Sequence, residues 1–190
     1  ISDERAAELL SHMEPDESAE VLRDLDEEHS ESILAQMAPA MAKQLRRLVE
    51  FDETHAGGIM TTHLLIVKES DTVSDALKLL VEHRERDISD GVTVVDSKGK
   101  LLDHIQIIEL IAAKPSEKLE KLVAAPFPTA VGIETPLEDV IEEFSNNRGS
   151  SVIVVDEKGK PVGRILADDI IDAMVPAESS GLAQGSGVLS

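Results

Sequence analysis

The sequence predicts an α/β protein of the α+β kind, in which a short all-α superhelical N-terminal segment precedes two copies of a β-α-β-β-α unit. Three observations predict this order. Apolar residues recur every twelve positions through the first fifty residues. A longer pattern occurs twice, sixty residues apart, between about residues 70 and 175. The glycine pair Gly57-Gly58 separates the two patterns, and glycine pairs commonly interrupt regular structure.

The twelve-residue repeat predicts a series of short helices. Proline and acidic residues stand between the apolar positions, which is typical of helix starts because acidic side chains oppose the positive end of the helix dipole. A helix of about two turns cannot bury its apolar stripe alone, so we expect the units to stack into a small superhelix, as solenoid repeats do. The repeated apolar positions are Leu9-Leu10, Val21-Leu22, Ile33-Leu34 and Leu45.

The stretch FDETHAGGIMTT (51–62) ends the helical pattern, and the β-rich segment HLLIVKES follows it. A glycine pair permits positive φ or close backbone approach. We interpret Gly57-Gly58 as a hinge between the helical segment and the rest of the chain.

The sixty-residue repeat predicts two equivalent units. VTVVDSKGKLL aligns with VIVVDEKGKPV, and each reads as strand, Asp-x-Lys-Gly turn and strand. An amphipathic helix pattern precedes this hairpin in both copies, and HIQIIELIAA and RILADDIIDA follow it as a strand end that leads into a helix. Glu109 and Asp169 occupy the same position of the two copies.

Composition excludes several classes of function. Asp and Glu number 38 against 18 Lys and Arg, a formal charge of −20 that repels nucleic acid and attracts cations. Only three Phe and no Trp or Tyr are present, so base-stacking surfaces are lacking and no nucleic-acid partner is expected. No apolar run approaches the ~20 residues that cross a bilayer, so we expect no direct membrane insertion by this chain.

The sequence also shows few features that are typical of an enzyme. There is no cysteine, which excludes thiolate metal sites. The six histidines are scattered and form no zinc-helix pattern, and neither a phosphate-binding loop nor a nucleophile elbow is present. We therefore expect that the chain is not an enzyme.

Three carboxylates, Asp168, Asp169 and Asp172, lie within five positions of ILADDIIDAM (165–174). Asp168 and Asp172 share a helix face at i, i+4, where like charges repel. Asp16 and Glu20 have the same spacing in the N-terminal segment. Three interpretations remain open for the late cluster: an ordinary helix cap, a nucleotide ribose, or a divalent cation.

The two repeated units resemble a pair of cystathionine-β-synthase (CBS) domains, over residues 59–175. With the acidic helical repeats and the FDETHAGGIMT junction before them, nearly all of residues 3–175 resembles the cytosolic region of MgtE magnesium transporters and channels. The resemblance implies a truncated MgtE N-type helical domain, two CBS domains and a flexible Gly/Ser-rich tail. Their expected ranges are 1–56, 57–115, 116–176 and 177–190.

The resemblance further implies a function. In MgtE proteins the cytosolic dimer closes around Mg²⁺ and locks the pore, so this chain would be a cytosolic Mg²⁺ sensor. It would form a homodimer through its CBS domains and act on the transmembrane pore domain of a parent protein. Asp169 would share Mg²⁺ with acids of the N domain; the expected metal residues are Asp169, Asp172, Asp168, Asp16 and Glu20.

The alternative is a stand-alone CBS pair that regulates a partner by binding an adenine nucleotide such as ATP or AMP. Its candidate residues are Gly163, Asp169 and Thr129. Leu166 opposes it, because it stands where related CBS domains place a hydroxyl that contacts the nucleotide, and leucine cannot donate a hydrogen bond. A dimerisation module without any ligand is a third possibility.

Overall fold

The computed structural model describes residues 1–83, 90–124, 130–146 and 151–174. It confirms the mixed fold, with a helical N-terminal part and two β-α-β-β-α units. No helix in these ranges is long and apolar enough to span a membrane. The N-terminal part consists of α1 (Asp3–Leu10), α2 (Pro15–Arg23), α3 (Glu27–Ala35), α4 (Pro39–Val49) and the single turn α5 (Ala56–Ile59).

The N-terminal helices begin where the sequence places helix-start residues. Ser2 and Asp26 accept hydrogen bonds from backbone N–H groups in the first turns of α1 and α3. Pro15 and Pro39 occupy the first positions of α2 and α4, where proline lacks only an N–H that the helix does not use. Helix α1 packs on α3 and α2 packs on α4. Each of the first two helices therefore contacts the helix two positions later in the chain.

In the first two helices, the two members of the apolar pair differ in exposure. Leu10 and Leu22 are buried, whereas Leu9 and Val21 remain 48% and 40% exposed. In the third helix both Ile33 and Leu34 are buried. The repeat therefore predicts the helices correctly, but only one residue of each early pair faces the core.

The two repeated units have the same topology. The first sheet has the order β1-β2-β3 and the second β4-β5-β6, each with one parallel and one antiparallel pairing. The first unit consists of β1 (Ile66–Lys68), α6 (Val73–Glu82), β2 (Gly91–Val95), β3 (Leu101–Gln106) and α7 (Ile107–Ala112), with a 3₁₀ turn at Leu119–Lys121. The second consists of β4 (Ala130–Gly132), α8 (Leu137–Asn146), β5 (Ser151–Val155), β6 (Pro161–Leu166) and α9 (Ala167–Met174).

The hairpin turns are as the Asp-x-Lys-Gly pattern predicts. Gly99 and Gly159 have φ values of +80° and +74°, a region that suits glycine because it has no Cβ. The aspartate that opens each turn accepts backbone hydrogen bonds from the residues two and four positions later.

The hydrophobic core is divided unequally. One buried cluster belongs to the first CBS-like unit, and it includes Val73 and Ile105. The other runs without interruption from α1 through the N-terminal helices into the second unit, where it ends at Ile170 of α9. The helical segment therefore packs on the second unit, which brings the two ends of the described chain together.

The hinge interpretation of Gly57-Gly58 stays a prediction, and in this conformation the pair is closely packed. The N–H groups of Ala56 and Gly57 donate to the carbonyls of Thr135 and Ile133 at 2.8 and 2.9 Å. A Cβ on Gly57 would lie 2.6 Å from the Ile133 side chain, and one on Gly58 would lie 1.7 Å from the Asp52 carbonyl oxygen. Neither glycine has a positive φ, so Gly57 serves close packing against the second unit and Gly58 serves close packing within the junction.

Candidate functional site

An acidic cleft lies where the N-terminal helices meet the second CBS-like unit. Its volume is about 650 Å³, and its walls come from α2, the junction segment 52–61 and α9. Eight of its lining residues carry carboxylates: Asp16, Glu17, Glu20, Asp24, Asp52, Glu53, Asp169 and Asp172.

The acidic cleft contains four of the five residues expected to bind a metal. Asp16 and Glu20 come from α2, and Asp169 and Asp172 come from α9. Asp168 is not among the lining residues. At about 100° per residue, Asp172 lies between Asp168 and Asp169 around α9, and the cleft is on the Asp169 side of the helix.

No sequence pattern singles out the other four carboxylates of the cleft. Glu17 lies in the first turn of α2, where acidic residues are explained by helix capping, and Asp24 directly follows the helix. Asp52 and Glu53 belong to FDETHAGG, whose glycine pair suggests a hinge and not a binding site. The density of acids in that junction was the available signal.

Asp169 combines a structural and an electrostatic role. Its Oδ2 accepts the Leu166 N–H at 2.7 Å, which caps α9, and Glu109 accepts the Gln106 N–H in the same way at the equivalent position of the first unit. Burial raises the pKa of Asp169; the charges of Asp168 and Asp172 add to the increase, while the Leu166 N–H and Arg164 oppose it. The ionised carboxylate is thus disfavoured in the fold, and a cation beside it would relieve that cost.

We expect Asp169→Asn to raise the melting temperature in EDTA and to reduce any rise that Mg²⁺ produces. A raised folded-state pKa means that the ionised group destabilises the fold at neutral pH, and that this loss is regained as pH falls through the folded-state pKa. The asparagine Oδ1 can still cap Leu166. Calorimetry in EDTA and in MgCl₂ measures both effects.

Asp75→Asn is the matched control, because Asp75 holds the equivalent cap of α6. Hydrogen bonds from the Thr72 hydroxyl and N–H lower the pKa of Asp75, so its charge stabilises the fold above the unfolded-state pKa. We expect the opposite sign, a lower melting temperature. A decrease for both variants would contradict the electrostatic account of Asp169.

Other cleft carboxylates are held by neighbouring hydroxyls. The Thr62 hydroxyl donates to Asp16 at 2.6 Å and so joins α2 to the junction. Hydrogen bonds from the Thr54 side chain and N–H, with a further one from His55, lower the pKa of Asp52 to about 2. The contacts hold Asp52 in its ionised form and fix the position of Asp16 at the cleft wall.

Arg23 is the basic residue among those that line the cleft, and its guanidinium is already engaged. It donates to the carbonyls of Leu48 and Phe51 at 3.2 and 2.6 Å, and it approaches the Gly58 carbonyl at 3.5 Å. The guanidinium therefore ties α2 to α4 and the junction, and one positive charge faces eight carboxylates.

The donor chemistry of the cleft fits Mg²⁺ as a hydrated ion. The lining offers carboxylate and hydroxyl oxygens and includes no His, which suits a hard cation that keeps several waters and touches one or two carboxylates. In the described part of the chain, no three Asp, Glu or His side chains are close enough to hold one ion directly. The cleft is thus a loose acidic surface.

The residues expected for a nucleotide are not assembled in the described ranges. Gly163 lies on β6, where an added Cβ would meet the Met60 sulfur at 2.6 Å and the Thr61 carbonyl oxygen at 2.8 Å. Close approach of the junction accounts for this glycine without a nucleotide. Asp169 faces the acidic cleft, and Thr129 lies outside the described residues.

Comparison with known families matches both parts of the chain. The profile of the MgtE intracellular N domain matches residues 1–54, and that of the CBS domain matches residues 56–116 and 122–176. A magnesium transporter MgtE from Thermus thermophilus is 29% identical over 202 residues, which cover 90% of this chain and 44% of the relative. One from Bacillus subtilis is 25% identical, with 90% and 38% covered. The chain thus spans less than half of these relatives.

Solved structures show the same architecture. The soluble part of a magnesium transporter superposes with a TM-score of 0.78 at 24% identity, covering 90% of this chain and 67% of the other. The cytosolic domain of the Mg²⁺ channel MgtE in complex with ATP superposes with a TM-score of 0.65 at 26% identity, covering 92% and 81%. The likeness extends over the helical part and both CBS units.

Proposed function

Because this chain belongs to the MgtE magnesium transporter family, as an N domain followed by a CBS pair, we propose that it is the cytosolic Mg²⁺-sensing region of such a transporter. One observation carries the proposal. Asp16 and Glu20 of the N domain face the same cleft as Asp169 and Asp172 of the second CBS domain. An ion that binds in an acidic cleft between two domains can control the distance between those domains.

The proposed mechanism is electrostatic. Two carboxylates about 4 Å apart repel by ~1 kcal/mol in water and by ~4 kcal/mol at an effective dielectric of 20. Carboxylates on both walls of the cleft therefore favour separation of the N domain from the CBS pair, and bound Mg²⁺ reverses the sign and favours closure. The ion shifts the equilibrium only by its differential affinity for the closed state. Closure would then lock a pore domain carried by the parent transporter.

Exposed apolar side chains support the homodimer that this function needs. Ile108 and Ile111 of α7 are 65% and 64% exposed, and Ile171 and Met174 of α9 are 60% and 62% exposed. Ile111 and Ile171 occupy equivalent positions sixty residues apart. Surfaces of this kind are typical of protein interfaces, and we propose that a second copy covers both helices.

The decisive experiment is thermal unfolding in MgCl₂ and in NaCl of equal ionic strength. We expect Mg²⁺ to stabilise the wild-type protein by about 2.7 kcal/mol at a hundredfold excess over Kd, which corresponds to roughly 5–10 °C for a chain of this size. Glu20→Gln/Asp172→Asn removes one carboxylate from each wall, and we expect it to lose most of that rise.

The control is Glu28→Gln/Asp139→Asn, which also removes two negative charges, from exposed positions that do not line the cleft. We expect it to retain the Mg²⁺ response. An equal response in NaCl, or equal responses of the two double variants, would contradict a Mg²⁺ site in the cleft.

A second candidate function, regulation by an adenine nucleotide, is favoured by one observation: the related MgtE cytosolic domain was solved in complex with ATP. Two observations oppose this candidate. Leu166 stands where related CBS domains have a hydroxyl, and the Met60-Thr61 segment packs on Gly163. A melting-temperature rise with ATP alone would favour this candidate over the Mg²⁺ sensor.

A further inference from the structure

The two hairpin turns of the CBS pair lie side by side and bring four lysines together. The Leu101 N–H, just after the first turn, donates to the Gly159 carbonyl of the second at 2.9 Å. The space between the turns, here called the lysine cleft, has a volume of about 530 Å³. It is lined by Lys98, Lys100, Glu157, Lys158, Gly159 and Lys160.

The lysines belong to turns in which an aspartate accepts hydrogen bonds from the lysine backbone N–H groups. Asp96 Oδ1 accepts the N–H groups of Lys98 and Lys100 at 2.8 and 2.9 Å. Asp156 Oδ1 does the same for Lys158 and Lys160, at 2.9 Å each. Both turns are therefore fixed by their own aspartates, and the lysine ammonium groups are the polar groups left to act on a ligand.

The charge of the lysine cleft is opposite to that of the rest of the molecule. Four ammonium groups face one lining carboxylate, that of Glu157, and Arg47 lies 3.5 Å from that carboxylate. Within the described residues, none of the four ammonium groups lies within 4.0 Å of a carboxylate oxygen. A polyvalent anion in this cleft would therefore meet four positive charges and one carboxylate, even though the whole chain carries −20.

We propose that the lysine cleft binds a free, multiply charged phosphate anion, such as a short chain of linked phosphates. Lysine binds phosphate as a point charge with three donors, and four lysines on two fixed turns can contact several phosphate groups at once. A concave site suits a small anion better than a flat bilayer surface, from which a chain of this net charge is repelled. The lysine cleft shares no lining residue with the acidic cleft, so the proposal is independent of Mg²⁺ sensing.

The test is isothermal titration with sodium tripolyphosphate at constant ionic strength and without Mg²⁺. We expect the wild type to bind, and Lys98→Gln/Lys158→Gln, which removes one charge from each turn, to bind about tenfold more weakly. Lys114→Gln/Lys121→Gln is the control, because both of its lysines are exposed and outside the lysine cleft; we expect it to bind as the wild type does. Circular dichroism melts establish that each variant is folded, and Lys100→Gln/Lys160→Gln repeats the test at the other two positions.

Three results would overturn the proposal. The first is no binding of tripolyphosphate by the wild type. The second is an equal loss in the control pair, which would indicate unspecific attraction. The third is wild-type binding to phosphatidylglycerol vesicles, lost in the lysine-cleft variants, without binding of free tripolyphosphate; that result would assign the lysines to a membrane surface.

Discussion

Replacing Gly58 by alanine is expected to destabilise the protein by about 3 kcal/mol or more, a fall in melting temperature of roughly 6–12 °C. A Cβ at this position would lie 1.7 Å from the Asp52 carbonyl oxygen and 2.2 Å from its carbon. These are backbone atoms, so no side-chain rotation relieves the overlap and the junction itself must move. Gly58 and Asp52 both line the acidic cleft, and we expect the Mg²⁺ response to weaken together with the stability.

Gly132→Ala provides the control for Gly58→Ala. The nearest atom to its added Cβ is the Thr135 hydroxyl at 3.6 Å, an ordinary contact, so we expect a change within about 0.5 kcal/mol. Calorimetry of both variants measures the difference. Equal melting temperatures of the two variants would show that the junction backbone can move at little cost in stability, and would support the hinge interpretation of the glycine pair.

Replacing Arg164 by methionine is expected to cost about 3 kcal/mol and to loosen the contact between the two CBS domains. The Arg164 side chain is 3% exposed, and its Nη1 lies 3.2 Å from Asp90 Oδ1. His104 of the first domain contacts the same oxygen at 3.0 Å. Removing one member of a buried ion pair costs about 3–5 kcal/mol, and we take the lower end because Asp90 is 25% exposed.

Arg164 also serves the junction through its backbone. Its N–H and carbonyl pair with the carbonyl and N–H of Thr61, both at 2.9 Å. One residue of β6 therefore contacts the first CBS domain through its side chain and the N-domain junction through its main chain. Methionine retains the backbone pairing and the apolar stem, so the variant isolates the charge.

Arg46→Met is the control for the charge removal. Arg46 pairs with Glu31 at 2.9 Å, but both side chains are about half exposed, and pairs of this kind contribute ~0–1 kcal/mol. Chemical unfolding gives both free energies, and Asp90→Asn completes a double-mutant cycle for Arg164. A loss no greater than that of Arg46→Met would contradict a structural role for the buried pair.

A related pH dependence is expected at low pH. Burial alone would raise the pKa of Asp90, but the hydrogen bond with His104 and the charges of His104 and Arg164 together lower it. The stability from this carboxylate is therefore present above its unfolded-state pKa and is lost as pH falls through its folded-state pKa. The Arg164 variant should lose less stability on acidification than the wild type.

Local sequence patterns suffice to predict the individual helices and hairpins. The twelve-residue repeat predicts α1–α4, because a short amphipathic helix shows its period in its own residues. The Asp-x-Lys-Gly turns predict both hairpins, because the aspartate and the glycine satisfy backbone requirements within five positions. The sixty-residue repeat then predicts two equivalent units, which resemble CBS domains, and with the helical repeat and its junction the chain resembles the cytosolic region of MgtE proteins.

Which acids meet depends on how distant segments pack. Asp16 and Asp169 stand at opposite ends of the described chain, and they share a cleft because the N-terminal helices continue the core of the second CBS unit. Asp168 lies outside the cleft, although it is only about 40° around α9 from Asp172, because the cleft lies on the Asp169 side of the helix. Gly58 is required by a backbone atom six residues earlier in the chain. Composition and spacing reveal carboxylates and glycines, but which of them face each other depends on packing between distant segments, which local sequence patterns do not encode.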